Sequence, residues 1–446
     1  MSESQAMDRT VPLEWPQIRA ESGLKFSILF WSGLAAASIP LSISLYWIIF
    51  WLAPGFEGSL LRVSVFACSF FLAFIWYRAP LSHAEVNLIR VLGIAAFLLL
   101  IPTLMATQRS HAIAGWLKTV VLFTICCFVA RGLRHPPTAR VFGIALLAGG
   151  VILIAFILYT YVRNVGFAIP TYKTAREFKG IEERAGVPLN SIAFAAVITY
   201  LAGLCLMRIT RLLIFIGIPL FVTSSLFTGS RAPLAILIAS LFVMLCINGF
   251  RSRSLLMRVA TALFASGVVL GGIAIVVLVS DKDLSGVTEG RSHLWSVGLH
   301  KFVERPLFGY GYESWRDDLV SRLPGEYELT FALAKSLGGG YHNEYISVLA
   351  EEGVIGGVAA GLIVWLLLRS SWLLAFRQWG AVHTKQWPLF ACVFLLLRAN
   401  FEVPGLFGYG QDPVDYIAYV LVAIVLSRFS VEEDWARLIA QKKQAQ

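Results

Sequence analysis

Apolar runs of about twenty residues, separated by short polar segments, recur along this chain from Phe26 to Phe429. A membrane's hydrocarbon layer is about 30 Å thick, and a helix rising about 1.5 Å per residue needs about 20 apolar residues to cross it. The runs at 27–52, 58–77, 87–106, 112–131, 140–163, 190–207, 210–229, 231–250, 256–280, 350–369, 385–402 and 412–429 meet that requirement. The expected fold is therefore an all-α polytopic membrane protein with about twelve transmembrane helices, an even number that returns the C-terminus to the side of the N-terminus. Pro40 can kink or split the first run, and the spans flanking Arg208 and Arg211 are closely spaced. The expected organisation is a tail at 1–25, helices one to nine at 26–280, a large structured loop at 281–349, helices ten to twelve at 350–429, and a tail at 430–446.

Composition agrees: 57% of the 446 residues are apolar, 14% are charged, and the mean hydropathy is positive. A soluble domain is excluded on those values. The polar first 25 residues carry acids as well as bases, and the run from Phe26 to Leu52 is too long for a signal-peptide core, so no cleavage is expected. All six cysteines fall inside apolar runs and read as small buried hydrophobes.

Orientation follows from the loops that keep Lys and Arg. Arg9, Arg19 and Lys25; Arg78 and Arg90; Arg131, Arg134 and Arg140; Arg208 and Arg211; Arg251, Arg253 and Arg258; Arg369, Arg377 and Lys385; and Arg428, Arg437, Lys442 and Lys443 occupy the tails and alternate loops. Those segments are expected in the cytoplasm. They account for the net charge of +10 without a nucleic-acid partner, and the chain lacks a Gly-rich phosphate loop.

Two outer segments break the charge pattern. The loop 163–189 carries Arg163, Lys173, Arg176, Lys179 and Arg184. It reads either as a site for something anionic or as a solvated helix whose cations pair with Glu177, Glu182 and Glu183. The other segment, 281–349, is too long for a connection without its own structure. Within it, "GRSHLWSVGLHKFVERP" spaces Leu294, Val297 and Phe302 at helical intervals and ends at Pro306, predicting an amphipathic helix on the membrane surface or capping the bundle. "LFGYGYESW" follows, with glycines for a tight turn. Tyr310, Tyr312 and Trp315 suit either a sugar ring or the membrane interface. "GGGYHNEYISVLAEEG" then leads through His342, Asn343 and Glu344 into the next span. In "LLLRANFEVPG", Arg398 and Glu402 lie four apart on one helix face, either lining a polar cavity or forming an ion pair near the outer end of the span.

"GRSHLW…RPLFGYGYESW" followed by "HNEYISVLAEEGVIGG" resembles the signature region of the O-antigen ligase and O-antigen polymerase superfamily of bacterial envelope glycosyltransferases. The order of elements is similar too, including the arginine-bearing "TGSRAP" at 228–233. The resemblance implies a multi-pass inner-membrane enzyme with both termini cytoplasmic. It implies transfer of a saccharide from an undecaprenyl diphosphate carrier to an acceptor hydroxyl at the periplasmic face, either the lipid A core or another carrier-linked chain. It also implies that Arg231, Arg291 and His342 occupy the family's functional positions.

The chemistry asks for such residues. Arginine offers a planar fork that matches phosphate oxygens and stays charged, so Arg231 and Arg291 suit a departing diphosphate. An imidazole titrates near neutrality, so His342 suits acceptance of the hydroxyl proton or orientation of a substrate. Bland alternatives exist for each: Arg231 snorkelling at a helix boundary, Arg291 pairing with Glu289, and His342 capping the next helix beside Asn343. His293 and His300 read as structural. No Asp-x-Asp carboxylate pair with supporting ligands is evident, so neither metal nor cofactor is expected, with arginines in the metal's place. The expected substrate-binding set is Arg163, Lys173, Arg176, Arg184, Tyr310, Tyr312, Asn343, Glu344 and Arg398. The basic 163–189 loop inclines the reading to a ligase whose acceptor is the phosphorylated lipid A core. A polymerase, and more distantly a transporter or flippase of lipid-linked sugars, remain as alternatives.

Overall fold

The computed structural model describes residues 22–52, 59–76, 81–166, 189–206, 232–252, 254–266, 291–312, 341–376, 386–400, 406 and 413–444. Among them are twelve helices and no strand: α1 (Ser22–Leu52), α2 (Ser59–Ile75), α3 (His83–Met105), α4 (Arg109–Leu133), α5 (Pro136–Val165), α6 (Leu189–Leu206), α7 (Ala232–Phe250), α8 (Leu255–Ser266), α9 (Arg291–Glu304), α10 (Glu344–Phe376), α11 (Trp387–Arg398) and α12 (Pro413–Gln444). The all-helical class is as expected. Six helices, α1, α3, α4, α5, α10 and α12, are long and apolar enough to cross a membrane. The apolar stretches of α2, α6, α7, α8 and α11 are only 10–17 residues long within the described residues. The expected span 210–229 lies outside the described residues.

Local chemistry sets the helix ends. Ser82 accepts a hydrogen bond from the Glu85 amide at 3.1 Å while the Glu85 carboxylate accepts from the Ser82 amide at 2.6 Å, a reciprocal cap that starts α3. Pro136 and Pro137 open α5, where an N-terminal turn has amides to spare. The membrane-type burial pattern is clear in the interior. Every residue from Ile192 to Leu206 in α6 and from Val414 to Ser427 in α12 is buried, so both helices are enclosed on all sides. The helices around them turn Phe30, Trp31, Phe97, Leu245 and Trp365 outward, as lipid-facing surfaces require. Small residues let the helices approach closely: a methyl group on Gly203 of α6 would lie 3.1 Å from the Gly143 carbonyl of α5.

Basic residues gather at one end of the bundle. Arg134 and Arg131 at the end of α4 reach Glu85 at 2.9 and 3.7 Å. Beside them His135 stacks on Trp76 with ring centroids 3.3 Å apart; burial, with Arg134 and Arg131 close by, pushes its pKa down to about 4. Arg251 after α7 lies 4.1 Å over Phe376 at the end of α10. Arg428 of α12 donates to the last carbonyls of α6, Cys205 at 3.2 Å and Leu206 at 3.1 Å. These arginines belong to the set whose sequence distribution predicts a cytoplasmic side. A topology with 281–349 outside predicts that an impermeant thiol reagent labels Ser321→Cys in intact cells and spares Ser252→Cys. Reversed labelling would refute that orientation.

Candidate functional site

The segment following α9 leaves the helix exposed at Arg305–Leu307 and then inserts, buried from Gly309 to Tyr312, into a break in α10. At the break Gly353 adopts φ 64° and ψ −160°, a conformation closed to residues bearing a Cβ. The interrupted helix leaves backbone groups without helical partners, and such groups are costly inside a membrane protein. The inserted segment supplies those partners. Val354 and Ile355 donate to the carbonyls of Pro306 and Leu307 at 2.8 and 3.3 Å, and Tyr310 and Gly311 donate to those of Ala350 and Glu351 at 3.1 and 2.7 Å. Gly309, at φ 61°, permits the approach: a Cβ there would lie 2.4 Å from the Glu351 carbonyl carbon. The glycine-rich turn and the helix entry that the sequence shows as separate signatures therefore form one structural unit.

The same unit docks onto the start of α4. The Tyr310 carbonyl accepts from the Thr107 hydroxyl at 3.0 Å, and a Cβ on Gly115 would fall 2.6 Å from the Tyr312 ring. Both tyrosines, expected to offer their faces to substrate, are enclosed at 6% and 7% exposure. Arg305 and Lys301 stand 4.6 and 5.3 Å from the centroid of Tyr310, and Lys118 stands 5.6 Å from that of Tyr312. The Tyr310 hydroxyl donates to the Glu304 carboxylate. Beneath the break, Thr119, Glu352, Leu406 and Tyr419 help line a cavity of about 20 Å³. That volume holds about one water and no saccharide.

The second half of the site is the turn at 341–344. Asn343 is the cap of α10: its Oδ1 accepts from the Ile346 amide at 3.0 Å. The capping role that the sequence left open for His342 thus belongs to its neighbour. His342 takes the left-handed conformation, φ 52°, which costs a residue with a Cβ about 1 kcal/mol, and it is 5% exposed. The turn is fastened to the end of α11. Asn343 Nδ2 donates to the Asn400 carbonyl at 3.2 Å, the Glu344 amide to the Ala399 carbonyl at 2.7 Å, and the Tyr345 hydroxyl to the Leu396 carbonyl at 2.9 Å. Glu344 and Arg398, both in the expected substrate-binding set, meet each other, Nη1 to Oε1 at 3.2 Å, with no side-chain exposure on either. Glu402, the partner suggested by spacing, lies outside the described residues.

Helix α9 brings the first half to the second. A Cβ on Gly298 would fall 2.4 Å from Ile346 and 3.0 Å from the Tyr341 ring, so α9 packs flush on the turn that carries His342. Arg291 is the first residue of α9, on a helix that packs on this turn. Arg163 is exposed near the end of α5. Arg231, Lys173, Arg176 and Arg184 lie outside the described residues. Among the described residues no three His, Cys, Asp or Glu side chains gather as metal ligands.

These joined signatures have a family counterpart. Residues 216–361 match the family model described as O-antigen ligase. That match, over about a third of the chain and the same segment that carries the sequence resemblance, supports membership of the O-antigen ligase and polymerase superfamily. No curated protein matches the chain. The family match supports a membrane glycosyltransferase of the O-antigen ligase or polymerase type in general, a family that implies lipid-linked glycan substrates. The matched segment contains Arg231, Arg291, Tyr310, Tyr312, His342 and the α10 break, whereas Arg398 lies beyond it.

Sequence reasoning passed over Lys118, Glu351 and Glu352. Each is an ionisable residue within an apolar run, and that alone marks a position of interest in a membrane protein. Glu351 and Glu352 are 4% and 3% exposed and flank the break.

Proposed function

We propose that this chain is a metal-independent glycosyltransferase of the ligase type. It moves a saccharide from an undecaprenyl diphosphate carrier to a hydroxyl of the lipid A core at the periplasmic face of the inner membrane. In the reaction the acceptor oxygen forms a bond to the sugar C1 while the bond from C1 to the phosphate oxygen breaks. The electron pair leaves with the carrier diphosphate, and the hydroxyl proton passes to the His342 imidazole. Arg231 and Arg291 hold the departing diphosphate with bidentate hydrogen bonds. Cations of the 163–189 loop, Arg163, Lys173, Arg176 and Arg184, meet the phosphates of the core.

The observation that most supports a chemical role for His342 is the division of labour at the α10 entry. Asn343 caps the helix, so capping does not account for the histidine or for its left-handed backbone.

The test is reconstitution of the purified chain with the lipid-linked glycan, offering lipid A core or a second carrier-linked chain in excess EDTA. The expected result is capping of the core at an undiminished rate. Lengthening of the carrier-linked chain instead would make the enzyme a polymerase, and loss in EDTA restored by Mg²⁺ or Mn²⁺ would refute the metal-free mechanism.

A further inference from the structure

The most deeply enclosed ion pair among the described residues stands next to His342. Arg398 is 0% exposed and Glu344 1%. One Glu344 oxygen accepts from Arg398 Nη1 at 3.2 Å and the other accepts from the Leu406 amide at 3.2 Å. The Arg398 guanidinium lies 5.0 Å from the Phe194 ring centroid. Its Nε and Nη2 have no hydrogen-bond partner among the described residues.

Stability does not explain this arrangement. Two charges withdrawn from water rarely gain more than they lose, and the loss grows when donors go unpaired; an apolar pair of equal volume would join α10 to α11 at least as well. What the charged pair adds is a single permitted register. Apolar side chains tolerate sliding, whereas a Glu344 carboxylate that must meet Arg398 Nη1 with one oxygen and the Leu406 amide with the other holds only in one alignment. The register fixed here is that of residues 343–345 on residues 396–400, whose three other links all depend on the same alignment. His342 is the next residue outward, held in the conformation it would otherwise avoid.

We propose that Glu344 and Arg398 are positioning residues: their ion pair sets the turn so that the His342 imidazole meets the acceptor hydroxyl. The inference rests on the catalytic role of His342 and extends it to a residue beyond the family segment. It also replaces the expectation that Glu344 and Arg398 touch substrate.

The test uses the full chain in proteoliposomes, with an undecaprenyl-diphosphate-linked saccharide as donor. Glu344→Leu combined with Arg398→Met removes both charges while keeping volume, so the protein keeps its yield and thermal midpoint. Its kcat falls about 10- to 100-fold with donor KM unchanged, the signature of an interaction made only in the transition state. In a His342→Ala background the same pair of changes costs nothing further, because members of one catalytic unit are not additive. Arg398→Lys keeps the charge but moves the donor away from the position Nη1 holds, and its kcat falls several-fold; this second variant serves if the double replacement does not fold. Normal kcat in either stable variant overturns the proposal, as does an additive loss in the His342→Ala background. A normal rate for His342→Ala alone would instead defeat the catalytic reading on which the proposal rests.

Discussion

His342→Ala, inserted and folded like the parent, transfers saccharide about 10²–10⁴-fold more slowly, the usual contribution of a positioned general base. Donor affinity stays within a few-fold, because the grip on the diphosphate proposed for Arg231 and Arg291 is left in place. The structure sharpens this expectation, since Asn343 keeps the α10 cap in the variant and alanine, like histidine, carries a Cβ at the left-handed position. Loss of turnover in a correctly folded protein is therefore not a capping effect. Arg291→Lys keeps a positive charge and loses bidentate geometry, so its turnover falls well beyond the change of up to about 1 kcal/mol expected from a surface ion pair. A folded His342→Ala enzyme with near-normal turnover would remove the histidine from the mechanism.

Gly353→Ala lowers stability by at least about 3 kcal/mol, combining a forbidden backbone conformation with a steric clash. The added methyl group would lie 2.5 Å from the carbonyl carbon and oxygen of Leu307, and neither backbone can yield without breaking the bonds that close the α10 gap. Gly309→Ala, facing Glu351 across the same junction, has the same effect. The readout is the thermal unfolding midpoint in detergent, together with the fraction of monodisperse protein. A midpoint equal to the parent's would mean that the inserted segment and the α10 break are not joined as described. Gly361→Ala, with open space around its would-be Cβ, is the control and leaves the midpoint unchanged.

Much of the fold is legible because the bilayer imposes one period and one length. Apolar runs near twenty residues locate α1, α3, α4 and α5 closely, and the helical spacing at 290–306 locates α9 at Arg291–Glu304. The break in α10 is not legible in that way. "EEGVIGG" reads as the interior of a span, and only the approach of Pro306–Gly311 makes the gap at Gly353 affordable. The Glu344–Arg398 pair is hidden for a related reason. Helical periodicity pairs Arg398 with Glu402, four residues on and outside the described residues, and gives no sign of Glu344, the partner 54 residues away on another helix. The tyrosines illustrate a third limit. Their type suits an exposed stacking face, but the surrounding turn buries them against α4 and leaves their rings to Lys118, Lys301 and Arg305.

The central claim is that this membrane protein makes a glycosidic bond rather than moving a lipid-linked sugar across the bilayer. Purified chain in sealed proteoliposomes, given a lipid-linked saccharide labelled in the sugar and an acceptor on the same face, decides between them. The account predicts that the label moves covalently onto the acceptor, with one carrier diphosphate released per transfer, and that Arg231→Ala and Arg291→Ala abolish it. Label that crosses the membrane still attached to its carrier, with no bond to the acceptor, would contradict it.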